Sequence, residues 1–86
     1  MTWNDENEAH IARHRVTPDE VHQVLNSDPR VFRPGRDGTR LVFGTTYTGR
    51  YLLVVLADAS DGRDLVVTAR DMDRAEKASF QRKART

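Results

Sequence analysis

The chain has 86 residues, a net charge of +1 and no cysteine. A chain of this length forms one small domain, residues 1–86, which buries roughly 60–65% of its unfolded surface. Without cysteine it has no disulfide, thiolate nucleophile or cysteine metal site. No apolar run approaches the roughly 20 residues that cross a membrane, and the acidic N-terminus is unlike a signal peptide. We therefore expect a soluble cytoplasmic protein that makes no membrane contact.

The charges alternate in blocks along the chain. Residues 1–12 and 51–73 are acidic, whereas residues 13–50 and 74–86 are basic. Twelve of the fourteen basic residues are arginine. The guanidinium fork binds phosphate through two hydrogen bonds, so this usage favours phosphate recognition. The preference for arginine over lysine is explained equally well by a GC-rich genome.

A first helix is predicted near the N-terminus. Asn4 or Asp5 can cap it, Asp5 and Glu8 have capping-box spacing, and it is expected to run to about His14. Its apolar content is low, so Trp3, just before it, is the expected anchor to the core.

The second helix has the clearest start signal in the sequence. Thr17 is an N-cap, Pro18 occupies the first helical position and Glu20 can reach back to the Thr17 amide. The helix is expected to run from Pro18 to about Asn26 and to stop at Asp28-Pro29. Only residues 15–16 separate the two helices, which predicts a tight helical hairpin.

The apolar run Tyr51–Ala57 is the predicted central strand. It is uncharged on both faces, which is typical of a strand covered on both sides. Residues 39–47 and 65–70 are expected to pair with it through hairpins at Thr48-Gly49 and Asp61-Gly62. Residues 31–33 form a possible short edge strand.

A third helix is predicted after Asp73, which caps it with Glu76 three residues on. Residues 82–86 form a basic tail. The predicted fold class is α+β: two N-terminal helices, an antiparallel three- to four-stranded sheet and a C-terminal helix, with the helices covering one face of a meander.

Few residues have an obvious chemical role. His10 and His14 share a helix face, but the acid of a zinc-protease helix is absent and no third ligand is evident, so we expect no metal site. Arg70 ends the last strand before a helix N-terminus, which suits an anion. A salt bridge in the capping region, with Asp71 and Asp73 directly after it, explains Arg70 equally well.

Other candidates have common structural explanations. Arg40, Arg50 and Arg63 lie near strand starts and turns, where isolated arginines are usually solvated. Tyr47 and Tyr51 flank a hairpin and can stack on bases, although such a pair is more often a cross-strand contact.

The order of these features resembles the BrnT family of type II toxins, whose fold is similar to that of RelE-like ribonucleases. The resemblance covers nearly the whole chain and rests on order and spacing. Its elements are Trp3-Asn4-Asp5, Arg13-His14-Arg15-Val16, Asp28-Pro29, the hairpin sheet, Val67-Thr68-Ala69-Arg70 and Glu76.

The chain departs from the family pattern at three positions, whereas Thr68-Ala69-Arg70 matches the Ser-Ala-Arg of the strand end. Asn4 replaces a frequent aspartate. Arg15 replaces the glycine of Lys-His-Gly-Val, so the helical joint is expected to bend differently. Phe80 stands where tyrosine is common, which removes a hydroxyl that could serve as an acid.

The resemblance implies a toxin that cleaves RNA without a metal or other cofactor and halts translation until a BrnA-like antitoxin binds it. The complex would bind promoter DNA only through the antitoxin. In this hypothesis Arg70 binds the phosphate, Arg13 is a second cation and His14 is the acid or base. RNA-binding residues would be Arg40, Arg50, Tyr47 and Tyr51.

Two other functions are compatible with the sequence. The first is a non-catalytic interaction module of the same fold, the partner of a DNA-binding antitoxin or regulator; the modest charge and the missing tyrosine favour it. The second is a small nucleic-acid-binding protein, which would need a continuous basic face. A joint catalytic role for His14 and Arg70 requires both side chains on the same side of the sheet.

Overall fold

The computed structural model describes residues 5–58, 62 and 64–84. Its elements in chain order are α1 (Asp5–Arg13), α2 (Pro18–Leu25), β1 (Val31–Pro34), a 3₁₀ turn (Arg36–Gly38), β2 (Arg40–Thr45), β3 (Tyr51–Asp58), β4 (Asp64–Asp71) and α3 (Arg74–Ala84). This confirms the predicted α+β layout. Trp3, Asn4, Asp61 and Arg63, which the sequence analysis singled out, lie outside the described residues.

The predicted cap of α2 is present in full. The Thr17 hydroxyl accepts from the Glu20 amide at 3.2 Å, and Glu20 Oε1 accepts from the Thr17 amide at 3.1 Å. These two bonds satisfy backbone donors that the helix leaves free, which is why the start of α2 can be located from sequence.

The four strands form one antiparallel sheet in the order β1-β2-β3-β4. The β2–β3 hairpin turns at Gly49, whose φ of 90° suits glycine and whose amide donates to the Thr46 carbonyl at 3.0 Å. The short strand β1 is an edge strand, as predicted.

The central strand β3 is covered on both faces, as its composition predicts. Leu52, Val54 and Leu56 pack under α1 and α2, whereas Leu53 packs with Phe43 and with Phe80 of α3. The expectation that all helices cover one face is therefore wrong. An apolar residue on each face of β3 needs a covering element on each side, and α3 supplies the second one.

A β-bulge interrupts the pairing of β3 with β4. Val55 opposes Thr68 and Leu56 opposes Val66, which leaves Val67 without a direct partner. Because one extra residue reverses the alternation of side chains, Val66 and Ala69 both enter the core under α1 and α2. The residues after the bulge consequently face the side opposite to the one that simple alternation from Val66 would give.

Candidate functional site

The joint between α1 and α2, residues 14–17, is a tight turn at one end of the sheet. The amides of His14 and Val16 both donate to the Ile11 carbonyl at 3.0 Å. Arg15 adopts a left-handed conformation with φ 58°, the region in which a side chain costs about 1 kcal/mol or more and glycine costs little. Arg15 thus adopts the backbone conformation that glycine favours, and the expectation that the joint bends differently from that of the family stays a prediction.

Arg50, which directly precedes β3, connects this joint to the sheet. Its guanidinium donates to the carbonyls of Arg15 at 2.6 Å and His14 at 3.1 Å. It also donates to Asp71 at 2.8 and 3.1 Å and to Glu20 at 3.2 Å. The Arg50 side chain is only 26% exposed. We call Arg50, Glu20, Asp71 and the two carbonyls the Arg50 cluster.

His14 is exposed beside the Arg50 cluster, with Arg13 and Arg15 also exposed on either side of it. The pKa of Asp71 lies below its ordinary value, because Arg50 hydrogen bonds to it, the Arg50 charge attracts it, and a positive charge on the nearby His14 adds a smaller effect. The structure therefore brings together an imidazole, a carboxylate and exposed cations at one end of the sheet.

Arg70 lies on the other face. It opposes Leu53 across the sheet, and its guanidinium forms two parallel bonds to Glu76 of α3 at 2.7 and 2.9 Å. Glu76 also accepts from the Asp73 amide at 2.9 Å, and Asp73 accepts from the Glu76 amide at 2.7 Å. Arg70 thus joins the predicted cap of α3 through the carboxylate of Glu76, and its guanidinium also donates to the backbone carbonyl of Asp71 at 3.0 Å.

The structure does not bring Arg70 and His14 together. Asp71 faces the same side as the joint, and Arg70, one residue earlier, faces α3. A joint catalytic role required both side chains to lie on the same side of the sheet, and this condition is not met. Arg13 and His14 remain neighbours at the joint.

The four residues expected to bind RNA are also separated. Arg40 pairs with Asp58 at 3.0 Å and with Asp64 at the far end of the sheet. Arg50 is inside its cluster. Tyr47 is 83% exposed at the hairpin tip, where its amide donates to Gln23 of α2 at 2.9 Å. Tyr51 lies on the α3 face, edge-on to Phe80.

Sequence reasoning missed Glu20 as a partner of Arg50, and for Arg70 it allowed a salt bridge in the capping region but not with Glu76. Glu20 and Glu76 were recognised as capping residues, but each also binds an arginine from a strand end. One signal in the sequence could have indicated these ion pairs. Arg50 and Arg70 stand at strand ends, and both Glu20 and Glu76 belong to helix caps. Spacing along the chain does not show which cap each arginine reaches.

The two arginine–carboxylate pairs predict that acid destabilises the fold. Arg50 lowers the pKa of Asp71 and Arg70 lowers the pKa of Glu76, from ordinary values of 3.8 and 4.5. A lowered folded-state pKa contributes stability that is present above those values and is lost as the pH falls through the folded-state pKa. Urea denaturation is therefore expected to give a declining free energy of unfolding from about pH 5 downwards.

The control for this prediction is charge removal. A variant with Asp71→Asn and Glu76→Gln should show a flatter decline than the wild type, whereas Asp37→Asn, at an exposed position outside both pairs, should leave the decline unchanged. Parallel profiles for wild type and double variant would show that these pairs do not govern acid stability.

Within residues 5–58, 62 and 64–84 no group of three histidine, aspartate or glutamate side chains is placed to hold a metal ion. None of the helices in that part of the chain is long and apolar enough to span a bilayer.

Comparisons with known proteins add no identification: no family model, curated protein or solved structure matches the chain. The likeness to BrnT therefore rests on the residues quoted above.

Proposed function

We propose that this protein is a ribonuclease toxin of a type II toxin–antitoxin system, which acts on RNA in the cytoplasm and is neutralised by a BrnA-like antitoxin. The proposal is supported by the BrnT-like order of residues and by the α+β layout that the resemblance implied. The observation that carries it is the position of His14: exposed, flanked by two arginines, and held by the hydrogen bond from Arg50 to its carbonyl.

The proposed reaction needs no metal. His14 takes the proton of a ribose 2′-hydroxyl, and that oxygen attacks the adjacent phosphorus. The bond from phosphorus to the 5′-oxygen breaks, and this oxygen takes a proton from the His14 imidazolium or from water, which leaves a 2′,3′-cyclic phosphate and a 5′-hydroxyl. Arg13 and Arg15 offset the negative charge that develops on the phosphate.

Arg70 has a different role in this proposal. Because its guanidinium is held by Glu76 on the opposite face, it fastens β4 to α3 and does not contact the scissile phosphate. RNA cleavage should therefore depend on His14 and Arg13 much more than on Arg70.

Replacing His14 is expected to remove RNA cleavage with little effect on folding. His14→Ala should lower the cleavage rate by about 100-fold or more, since general acid–base catalysis contributes about 10²–10⁴. The rate is measured on total bacterial RNA with purified protein, and growth arrest is followed during expression. His22→Ala is the control, because His22 is an exposed histidine on α2 rather than at the joint.

The same experiment can reject the proposal. If soluble wild-type protein neither cleaves RNA nor slows growth, the chain is not a ribonuclease toxin. If the wild type cleaves RNA and His14→Ala retains the full rate, the site is misplaced.

A non-catalytic interaction module is the second candidate. It is favoured by the neutralisation of the two arginines at the strand ends: Arg50 is bound by Glu20 and Asp71, and Arg70 by Glu76. This function predicts intact RNA and normal growth, together with stable binding to a DNA-binding protein encoded beside this chain.

A further inference from the structure

The α3 face of the sheet contains a groove distinct from the joint. It lies between α3, the β2–β3 hairpin and Pro29, and has a volume of about 370 Å³. This falls within the range of about 300–1,000 Å³ found for small-molecule sites. Its lining combines two aromatic rings, two small side chains and two polar groups, namely Tyr51, Phe80, Pro29, Ala84, Thr45 and Gln81.

A row of polar and cationic side chains borders this groove. Arg74, Lys77 and Gln81 are spaced three and four residues apart on α3 and share one face of the helix. The Lys77 ammonium lies 4.6 Å from the centre of the Tyr51 ring, and the Gln81 amide reaches the Tyr51 hydroxyl at 3.4 Å. These contacts place the row on the Tyr51 side of α3.

The acid of α3 does not cancel this positive charge. Glu76 directs both carboxylate oxygens to Arg70 and one of them also to the Asp73 amide. Arg74 and Lys77 are exposed. A flexible polyanion can therefore approach the groove along this side of the helix.

We infer that this groove is a binding subsite for single-stranded RNA, with a base against the aromatic wall and the adjoining phosphates on Arg74 and Lys77. Aromatic side chains beside cations are the usual means of binding single strands, because each base offers a flat face and each phosphate a charge. The Gln81 amide and the Thr45 hydroxyl can hydrogen bond to the edge of the base. The inference rests on the proposed function only in taking RNA as the ligand.

The groove and the joint lie at the same end of the sheet on opposite faces. Tyr51 follows directly after Arg50, and their side chains point to the α3 face and to the joint, respectively. A bound strand would pass around this end of the sheet. RNA binding on the α3 face can thus be measured apart from chemistry at His14.

The test is binding of a short single-stranded 2′-O-methyl RNA, which lacks the nucleophilic hydroxyl, followed by fluorescence anisotropy over a series of salt concentrations. The test variant is Arg74→Gln with Lys77→Gln. The control is Arg82→Gln with Lys83→Gln, which removes the same charge from the same helix. Lys83 lies on the other side of α3, beside Val31 and Arg33.

We expect the test variant to bind about tenfold more weakly and the control less than threefold more weakly. Loss of two phosphate contacts should reduce the slope of log affinity against log salt by about 1.4, since each contact to a single strand contributes about 0.7. Gln81→Ala should weaken binding without changing this slope, because it removes no charge.

Three results would overturn the inference. These are no binding of the oligonucleotide by wild type, equal weakening in the test and control variants, and equally tight binding of poly-L-glutamate. The last result would indicate a surface for an acidic protein. Binding that follows the expected pattern in a protein that does not cleave RNA would support the subsite while rejecting the ribonuclease function.

Discussion

Arg50→Met is expected to lower the free energy of unfolding by about 2–3 kcal/mol, since hydrogen bonds to charged groups contribute about 1.5–3 kcal/mol. The Arg50 side chain is only 26% exposed, and loss of its guanidinium leaves Glu20 and Asp71 without their shared cation. It also frees the carbonyls of His14 and Arg15. Methionine keeps an apolar stem of similar length, so the effect reports the charged group rather than a cavity.

Urea denaturation at neutral pH measures this effect, with Arg40→Met as the matched control. Arg40 also binds two carboxylates, those of Asp58 and Asp64, but its side chain is 45% exposed. Exposed ion pairs contribute about 0–1 kcal/mol, so the control should lose less than about 1 kcal/mol. Equal losses in the two variants would show that the Arg50 cluster is no more than a surface ion pair.

Arg50→Lys tests the geometry of the cluster. Lysine keeps the charge but lacks the planar fork, so it cannot reach two carbonyls and two carboxylates together. The free energy of unfolding of Arg50→Lys should fall between that of the wild type and that of Arg50→Met. Amide hydrogen exchange at Val16, which closes the joint by bonding to Ile11, should be faster in both variants.

Gly44→Ala is expected to lower the free energy of unfolding by about 1–3 kcal/mol, the usual cost of overpacking. Gly44 lies in β2 directly beneath the end of α2. An added Cβ would be 2.5 Å from the Ser27 hydroxyl oxygen and 3.2 Å from the Val24 carbonyl oxygen. The carbonyl belongs to the helix backbone, so relief requires α2 to move away from the sheet.

Two companion variants separate this packing effect from backbone strain. Ser27→Ala removes the nearest atom and should restore part of the stability lost in Gly44→Ala. Gly38→Ala has open space around the new methyl group but a φ of 77°, so it should cost about 1 kcal/mol through strain alone. If Ser27→Ala restores nothing, α2 does not pack on Gly44 as described.

Local signals predicted the elements of the fold because each depends on a few neighbouring residues. Thr17 and Glu20 accept hydrogen bonds from free amides at the start of α2, and Pro18 has no amide hydrogen that needs an acceptor, whatever the rest of the chain does. The apolar composition of residues 51–57 required cover on both faces of β3. The structure agrees on both points, and it corrects the expectation that all three helices lie on one side.

The candidate site was only partly predictable, because partners across the sheet are not encoded in local spacing. Arg50 was expected to be a solvated or RNA-binding residue, yet it reaches carbonyls 35 and 36 residues earlier in the chain. Arg70 was expected to act together with His14 in catalysis, yet it binds Glu76. Both arginines stand at strand ends, where the alternation of side chains along the strand decides which helix each one meets.

The sequence by itself determined where the helices begin, that consecutive strands pair as hairpins, and which residues carry charge. Only the tertiary structure decided on which face of the sheet those charged side chains lie. Without the bulge at Val67, alternation from the buried Val66 would place Arg70 on the side of α1 and α2, where His14 lies. One extra residue in β4 reverses the alternation of side chains, so Arg70 faces α3 and Asp71 faces the joint.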